Sequence, residues 1–282
     1  MTLPRLGAHT FGFAWDRDAE AAFEALVAAG FSTLQLMAAP PHYDPWINDP
    51  ALQHRLRALI DQAGAELLAL DLASSDVNLA SPSRAVVDFA VDAYGRAIDR
   101  GAELGARGIC VASGRRHALA PQASDRLLDI YRDAFERILL RAEEAGLGVV
   151  LENHPNGLLA EAGAIERFLA EGGYDGVSVA YDVANAVAVG EDPSAGLKRL
   201  QPHLGIVHLS DAPQGQWRHD PIGSGDIDFA AIGETIGQLG FAGPVVLEII
   251  SGQPLDDVVA GREKLLRAGW RFAGPGEVSV SG

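Results

Sequence analysis

Cysteine, methionine and positive charge are what these 282 residues have least of. The only cysteine, Cys110, can form no internal disulfide, and its place in the apolar run Gly108-Ile109-Cys110-Val111 marks a small core residue rather than a redox group. Lys and Arg number 22 against 38 Asp and Glu, a formal net charge of −16. A field of that sign repels phosphate backbones and anionic lipid, so neither nucleic acid nor a membrane is expected as a partner. No stretch approaches the roughly 18 consecutive apolar residues of a membrane span. The start, MTLPRLGAHTFGF, lacks the basic flank and long apolar segment of a secretory signal, so a cytoplasmic protein is expected. Hydrophobic residues at 48% and charged residues at 21% exclude collagen-like, disordered and coiled-coil classes.

What is present is alternation. Short runs rich in Val, Ile and Leu occur at 6–14, 31–37, 65–72, 107–113, 147–153, 177–182, 204–210 and 244–250. Between and after them lie stretches of helical period at about 18–29, 50–63, 83–104, 124–145, 162–172, 194–201, 228–239 and 254–269. Gly30, Gly64, Gly105, Gly146 and Gly240 stand where a helix would stop before the next strand. Eight such units in a length near 250 residues predict an α/β fold, a closed (β/α)8 TIM barrel, as a single domain over 1–273 with 274–282 a frayed tail. A doubly wound open sheet is the competitor, but no Gly-rich dinucleotide fingerprint follows the first strand.

In such a barrel the chemistry sits at the C-terminal ends of the strands. There the last four strands each carry one lone polar residue: Glu152 in VVLENH, Asp182 in VSVAYD, His208 in GIVHLSD and Glu248 in VVLEI. A single buried carboxylate is costly without a cation, and three with one imidazole form a hard, anionic shell for a divalent metal ion: Mn2+ first, with Mg2+, Co2+ or Zn2+ as alternatives. Taken singly, each acid also fits a helix cap or an Arg partner, and Asp211 is read that way. His9 and His154 open toward the same face and are candidate substrate contacts. The loop 38–50, AAPPHYDPWINDP, has the aromatic content of a lid, with Trp46 as its candidate contact. Arg115, Arg116 and His117 are a candidate anion site.

The segments LENHPN, VAYDVANAV, VHLSDAP followed by GSGDIDF, and VVLEI resemble, in this order and spacing, the xylose isomerase-like barrel superfamily of sugar-phosphate isomerases and epimerases. The resemblance places metal ligands on Glu152, Asp182, His208 and Glu248, and acid–base roles on Glu152 and Glu248. It implies a small-molecule sugar or polyol ketone substrate, reaction through an enediolate, and a homo-oligomer. It also places a substrate-contacting Arg at Arg218. Many members carry His where this chain has Asn185, which can hold substrate by hydrogen bonds but cannot shuttle a proton. LENHPNGL is similar to the dehydroshikimate dehydratases, so a metal-dependent lyase of the 3-dehydroshikimate or inosose type is the alternative to an isomerase or epimerase. A non-catalytic ligand-binding protein is the more distant rival. An abasic-site endonuclease of the same barrel type is disfavoured by the charge of −16.

Overall fold

The computed structural model describes residues 3–73, 77–116 and 124–274. Eight strands, β1 (Arg5–His9), β2 (Thr33–Ala38), β3 (Glu66–Leu72), β4 (Gly108–Ala112), β5 (Gly148–Glu152), β6 (Ser178–Asp182), β7 (Leu204–Leu209) and β8 (Pro244–Leu247), pair in chain order. All pairings are parallel, and β1 closes the barrel against β8. The outer ring of helices comprises α1 (Ala19–Ala28), α2 (Pro50–Gln62), α3 (Arg84–Leu104), α4 (Ser124–Ala145), α5 (Ala162–Gly172), α6 (Val183–Ala188), α7 (Pro193–Arg199), α8 (Phe229–Leu239) and α9 (Pro254–Arg267). The architecture is the (β/α)8 barrel the alternation predicts.

Helix ends follow local chemistry. Asp18, Asp49, Asp192 and Asp228 cap α1, α2, α7 and α8 by accepting first-turn N–H groups. Gly105 and Gly240 end α3 and α8 with φ of 73° and 64°, a left-handed turn that a side chain would strain.

The strands place side chains alternately outward and inward. Outward residues such as Leu151, Tyr181, Val207 and Leu247 join the large core shared with the helices. Inward residues Leu68, Cys110, Val150, Ala180, Ile206 and Val246 fill the barrel as a separate apolar layer. Two residues further along β5, β6 and β7 and just past β8, about 6.6 Å along the strand direction, come Glu152, Asp182, His208 and Glu248. The polar floor therefore rests on a packed apolar plug.

The expected boundaries shift in three places. The first strand ends at His9 rather than 14, because the N–H groups of Phe13 and Ala14 turn back onto Thr10 and Phe11 in a 3-10 turn. Gly12 there leaves no room for a side chain: an added Cβ would lie 2.2 Å from the Ile249 carbonyl oxygen. The last strand stops at Leu247, leaving Glu248 just past its end. Between β6 and the helix expected at 194–201 lies α6, which the sequence reading had not separated. The expected tail, apart from Gly274, and His117 of the candidate anion site lie outside the described residues. Among the described residues no helix is long and apolar enough to cross a membrane.

Candidate active site

Parallel pairing brings the four strand-end groups together. Glu152, Asp182, His208 and Glu248 each offer one ligand atom, and these atoms all lie within 4.8 Å of one another. His208 Nδ1 is 3.2 Å from Glu152 Oε1 and 3.1 Å from Glu248 Oε2. Asp182 uses Oδ1 to cap α6 through the Asn185 N–H at 2.6 Å. Its Oδ2 is buried without a hydrogen-bond partner among the described residues, and Glu248 Oε2 has the His208 imidazole as its near neighbour. An orphaned carboxylate oxygen in a buried cluster is costly unless a cation completes it, so the donor set fits a divalent ion.

The electrostatics carry the same strain. Burial pushes the Glu152 carboxyl up to about 7, with the His208 hydrogen bond opposing and the Glu248 charge adding. Burial also raises Asp182. Glu248 goes the other way: burial opposes its charge, but the surrounding imidazoles hold it well below the usual carboxylate range. For His208, burial disfavours the cation, yet Glu248 and Glu152 hold it well above its ordinary value. Two glutamates beside one imidazole thus have protonation pushed apart.

Glu152 and Glu248 of the quartet line a cavity of about 400 Å³ at the C-terminal face of the barrel. Asp71, Glu152 and Glu248 contribute its acidic side, and Phe11, Trp15 and Trp217 its aromatic walls. No Lys or Arg lines it among the described residues. The undescribed segments add none, since neither 1–2, 74–76, 117–123 nor 275–282 contains Lys or Arg.

The other candidates separate. His154 lines the cavity with its ring 4.7 Å from the Trp217 ring. Burial, then His219 and Arg115, push its pKa down to about 4, so it is neutral at pH 7. Asn185 also lines the cavity, but its amide nitrogen donates to the Asn153 carbonyl at 3.0 Å. His9 lies behind the cavity wall, its Nε2 on Asp71. Arg218 is not among the lining residues; its guanidinium pairs with Asp220 at 2.8 Å on the surface. Trp46 is likewise elsewhere, stacked on Phe89 at 5.4 Å beneath Arg96. The aromatic groups of the 38–50 loop pack away from the cavity, with His42 and Tyr43 buried, and only Ala39 and Pro40 reach it. Arg115 and Arg116 line a different cavity, of about 880 Å³, beside α4 and α5. Asp211 is structural, its carboxylate accepting N–H groups of Ala212, Gly223 and Ile227.

Three residues without a sequence-derived role belong to the site. His219 lines the cavity, with Nδ1 3.1 Å from Ser210 Oγ, 3.7 Å from Asp182 and 3.9 Å from Glu248. Gln35 bonds His208, and Asp71 bonds Gln35 in turn. Of these, Asp71 in LLALDL shows the same lone acid in an apolar run that marks the quartet.

Comparison with known proteins agrees with the barrel fold. A ketose 3-epimerase of Arthrobacter globiformis is 26% identical over 228 residues, 79% of this chain and 74% of that protein. An inosose dehydratase of Lacticaseibacillus casei is 26% identical over 145 residues, 45% of this chain and 49% of that protein. The crystal structure of a D-tagatose 3-epimerase-like protein superposes with a TM-score of 0.81 at 21% identity, covering 94% of this chain and 96% of the other, which shows the shared fold. The xylose isomerase-like TIM barrel model matches residues 23–272. The chain belongs to the xylose isomerase-like TIM barrel family.

Proposed function

We propose that the protein is a divalent-metal-dependent epimerase or isomerase of an unphosphorylated ketose. The observation that carries the reading is the quartet itself: Glu152, Asp182, His208 and Glu248 converge within 4.8 Å beside a cavity of about 400 Å³. These residues would hold the ion, with Mn2+ favoured by an oxygen-rich shell containing one imidazole. A bound ion supplies polarisation of a substrate carbonyl and offsets the charge that develops as the neighbouring carbon loses its proton.

The chain's own groups supply the rest. Glu152 and Glu248 both approach His208 Nδ1 and both line the cavity, so a sugar carbon held there would have two carboxylates within reach: one takes the proton, the other returns one. Neutral His154 and the His219 imidazole present hydrogen-bonding nitrogens to substrate hydroxyls. Phe11, Trp15 and Trp217 cover the apolar C–H faces of a sugar ring and exclude water. A phosphate ester finds no Lys or Arg among the described residues that line the cavity, which favours free sugars. The dehydratase reading uses the same proton abstraction but rests on a match covering less than half of either chain, so the epimerase reading is preferred.

The test is incubation of Mn2+-loaded protein in deuterated water with D-tagatose, D-fructose and L-ribulose, followed by NMR of the recovered sugars. Deuterium at the carbon next to the carbonyl, with an epimer or isomer as product, is expected. Glu152→Gln and Glu248→Gln should slow exchange by roughly 10²- to 10⁴-fold, and His208→Ala should lose the metal. Failure of the wild-type protein to bind any divalent ion would overturn the reading, whereas loss of water from a cyclic polyol ketone would move it to the lyase.

A further inference from the structure

The metal quartet occupies strands β5 and β6, β7, and the end of β8. The first three strands send His9, Gln35 and Asp71 into the same end of the barrel, all buried. We propose that these three residues form a one-way hydrogen-bond chain that sets which nitrogen of His208 is available, and that Gln35 is a positioning residue for that ligand. The inference rests on the metal-site reading above.

The direction of the chain follows from its donors. The Phe11 backbone N–H donates to His9 Nδ1 at 2.9 Å, so Nδ1 carries no proton and the ring proton sits on Nε2. Nε2 faces Asp71 Oδ2 and donates to it. Gln35 Nε2 donates to the same oxygen at 2.7 Å. An amide whose nitrogen faces a carboxylate has its oxygen at the other end, and Gln35 Oε1 lies 3.0 Å from His208 Nε2. That oxygen only accepts, so His208 carries a proton on Nε2. Nδ1, the nitrogen between Glu152 and Glu248, is then the one whose lone pair a cation can take.

The chain matters because the quartet pulls the other way. Two carboxylate oxygens at 3.1 and 3.2 Å from Nδ1 favour a proton there, which would close the lone pair to a metal. Gln35, fully buried, offers the competing acceptor at Nε2, and Asp71 and His9 stop its amide from flipping. Partners of metal-bound histidines commonly act in this way.

The experiment compares wild type, Gln35→Met and Asp71→Asn. Mn2+ affinity is measured by calorimetric titration, and the His208 tautomer by NMR of ¹⁵N-histidine-labelled protein with Zn2+ as a diamagnetic probe. Gln35→Met removes the acceptor at similar length and should weaken Mn2+ binding roughly 10- to 100-fold. Asp71→Asn keeps an oxygen for the two donors and should weaken Mn2+ binding less than Gln35→Met does. The wild-type spectrum should show Nδ1 on the metal and a proton on Nε2, which decides the matter even where Gln35→Met does not fold. Coordination through Nε2, wild-type affinity in a folded Gln35→Met, or a loss in Asp71→Asn as large as in Gln35→Met would each overturn the proposal. If wild type binds neither ion, the metal-site reading itself fails and takes this inference with it, an outcome distinct from the other three.

Discussion

His208 sits where opposite demands meet. In the metal-free protein burial keeps Glu152 near 7, and the adjoining carboxylates keep His208 above 6.5 despite burial. A cation needs the carboxylate and the Nδ1 lone pair, so it must displace protons from both. Metal affinity is therefore expected to rise as pH rises through 7 and to fall below it. Mn2+ titrations in two buffers of different ionisation enthalpy at pH 7 should show net proton release; heats independent of buffer would refute the expectation. At this scale the quartet was legible because each member is a lone polar group closing an apolar run. His219 was not, since it lies in a loop 11 residues beyond His208 and only the path of that loop carries it back to the cavity. Its neighbour Arg218, the residue the resemblance selects, is turned outward by Asp220.

Elements explain how the floor is held open. The turn after β1 is tied to the loop after β2 by one imidazole: His42 Nδ1 donates to the Arg17 carbonyl at 2.7 Å, and Nε2 accepts from the Thr10 hydroxyl at 2.9 Å. That hydroxyl in turn accepts the Met37 N–H at 3.0 Å. The arrangement requires neutral His42, and burial lowers its pKa below the ordinary 6.5. Because the unfolded chain takes up this proton at higher pH than the folded one, the contribution is complete above about 6.5 and is lost as pH falls toward the folded value. Urea unfolding at pH 7.5 and pH 5.5 should show a larger loss of stability in wild type than in His42→Gln; equal losses would contradict the assignment. Strand and helix periods and Gly stops made nearly every element legible within a few residues. Where the reading ran long, at 10–14, the apolar pattern continued but the N–H groups had already turned back into a 3-10 turn.

For the whole molecule, charge and cavity act together. A net charge of −16 repels anionic solutes, and the cavity beside the quartet has no Lys or Arg among its described lining residues to reverse that locally. Free L-ribulose is therefore expected to be processed with a kcat/KM at least about tenfold above that of its 5-phosphate, the bare sugar avoiding an unpaired phosphate. Added salt should narrow the gap by screening the long-range part. Steady-state kinetics with the pair at low and high ionic strength checks this, and a preference for the ester would refute it.

The sequence by itself determined the barrel, its eight units and the four strand-end groups, because these depend on periodicity along the chain and on the cost of burying a lone charge. Tertiary structure decided what periodicity cannot carry. It decided that the acids and imidazole of β5, β6, β7 and the end of β8 converge within 4.8 Å, and that His9, Gln35 and Asp71 of β1, β2 and β3 stand behind them. It also turned His42 and Tyr43 of the 38–50 loop inward, Trp46 onto Phe89 at the surface and Arg218 outward to Asp220. Loop side chains go to whichever partner the folded neighbours present, and those neighbours are distant in the chain.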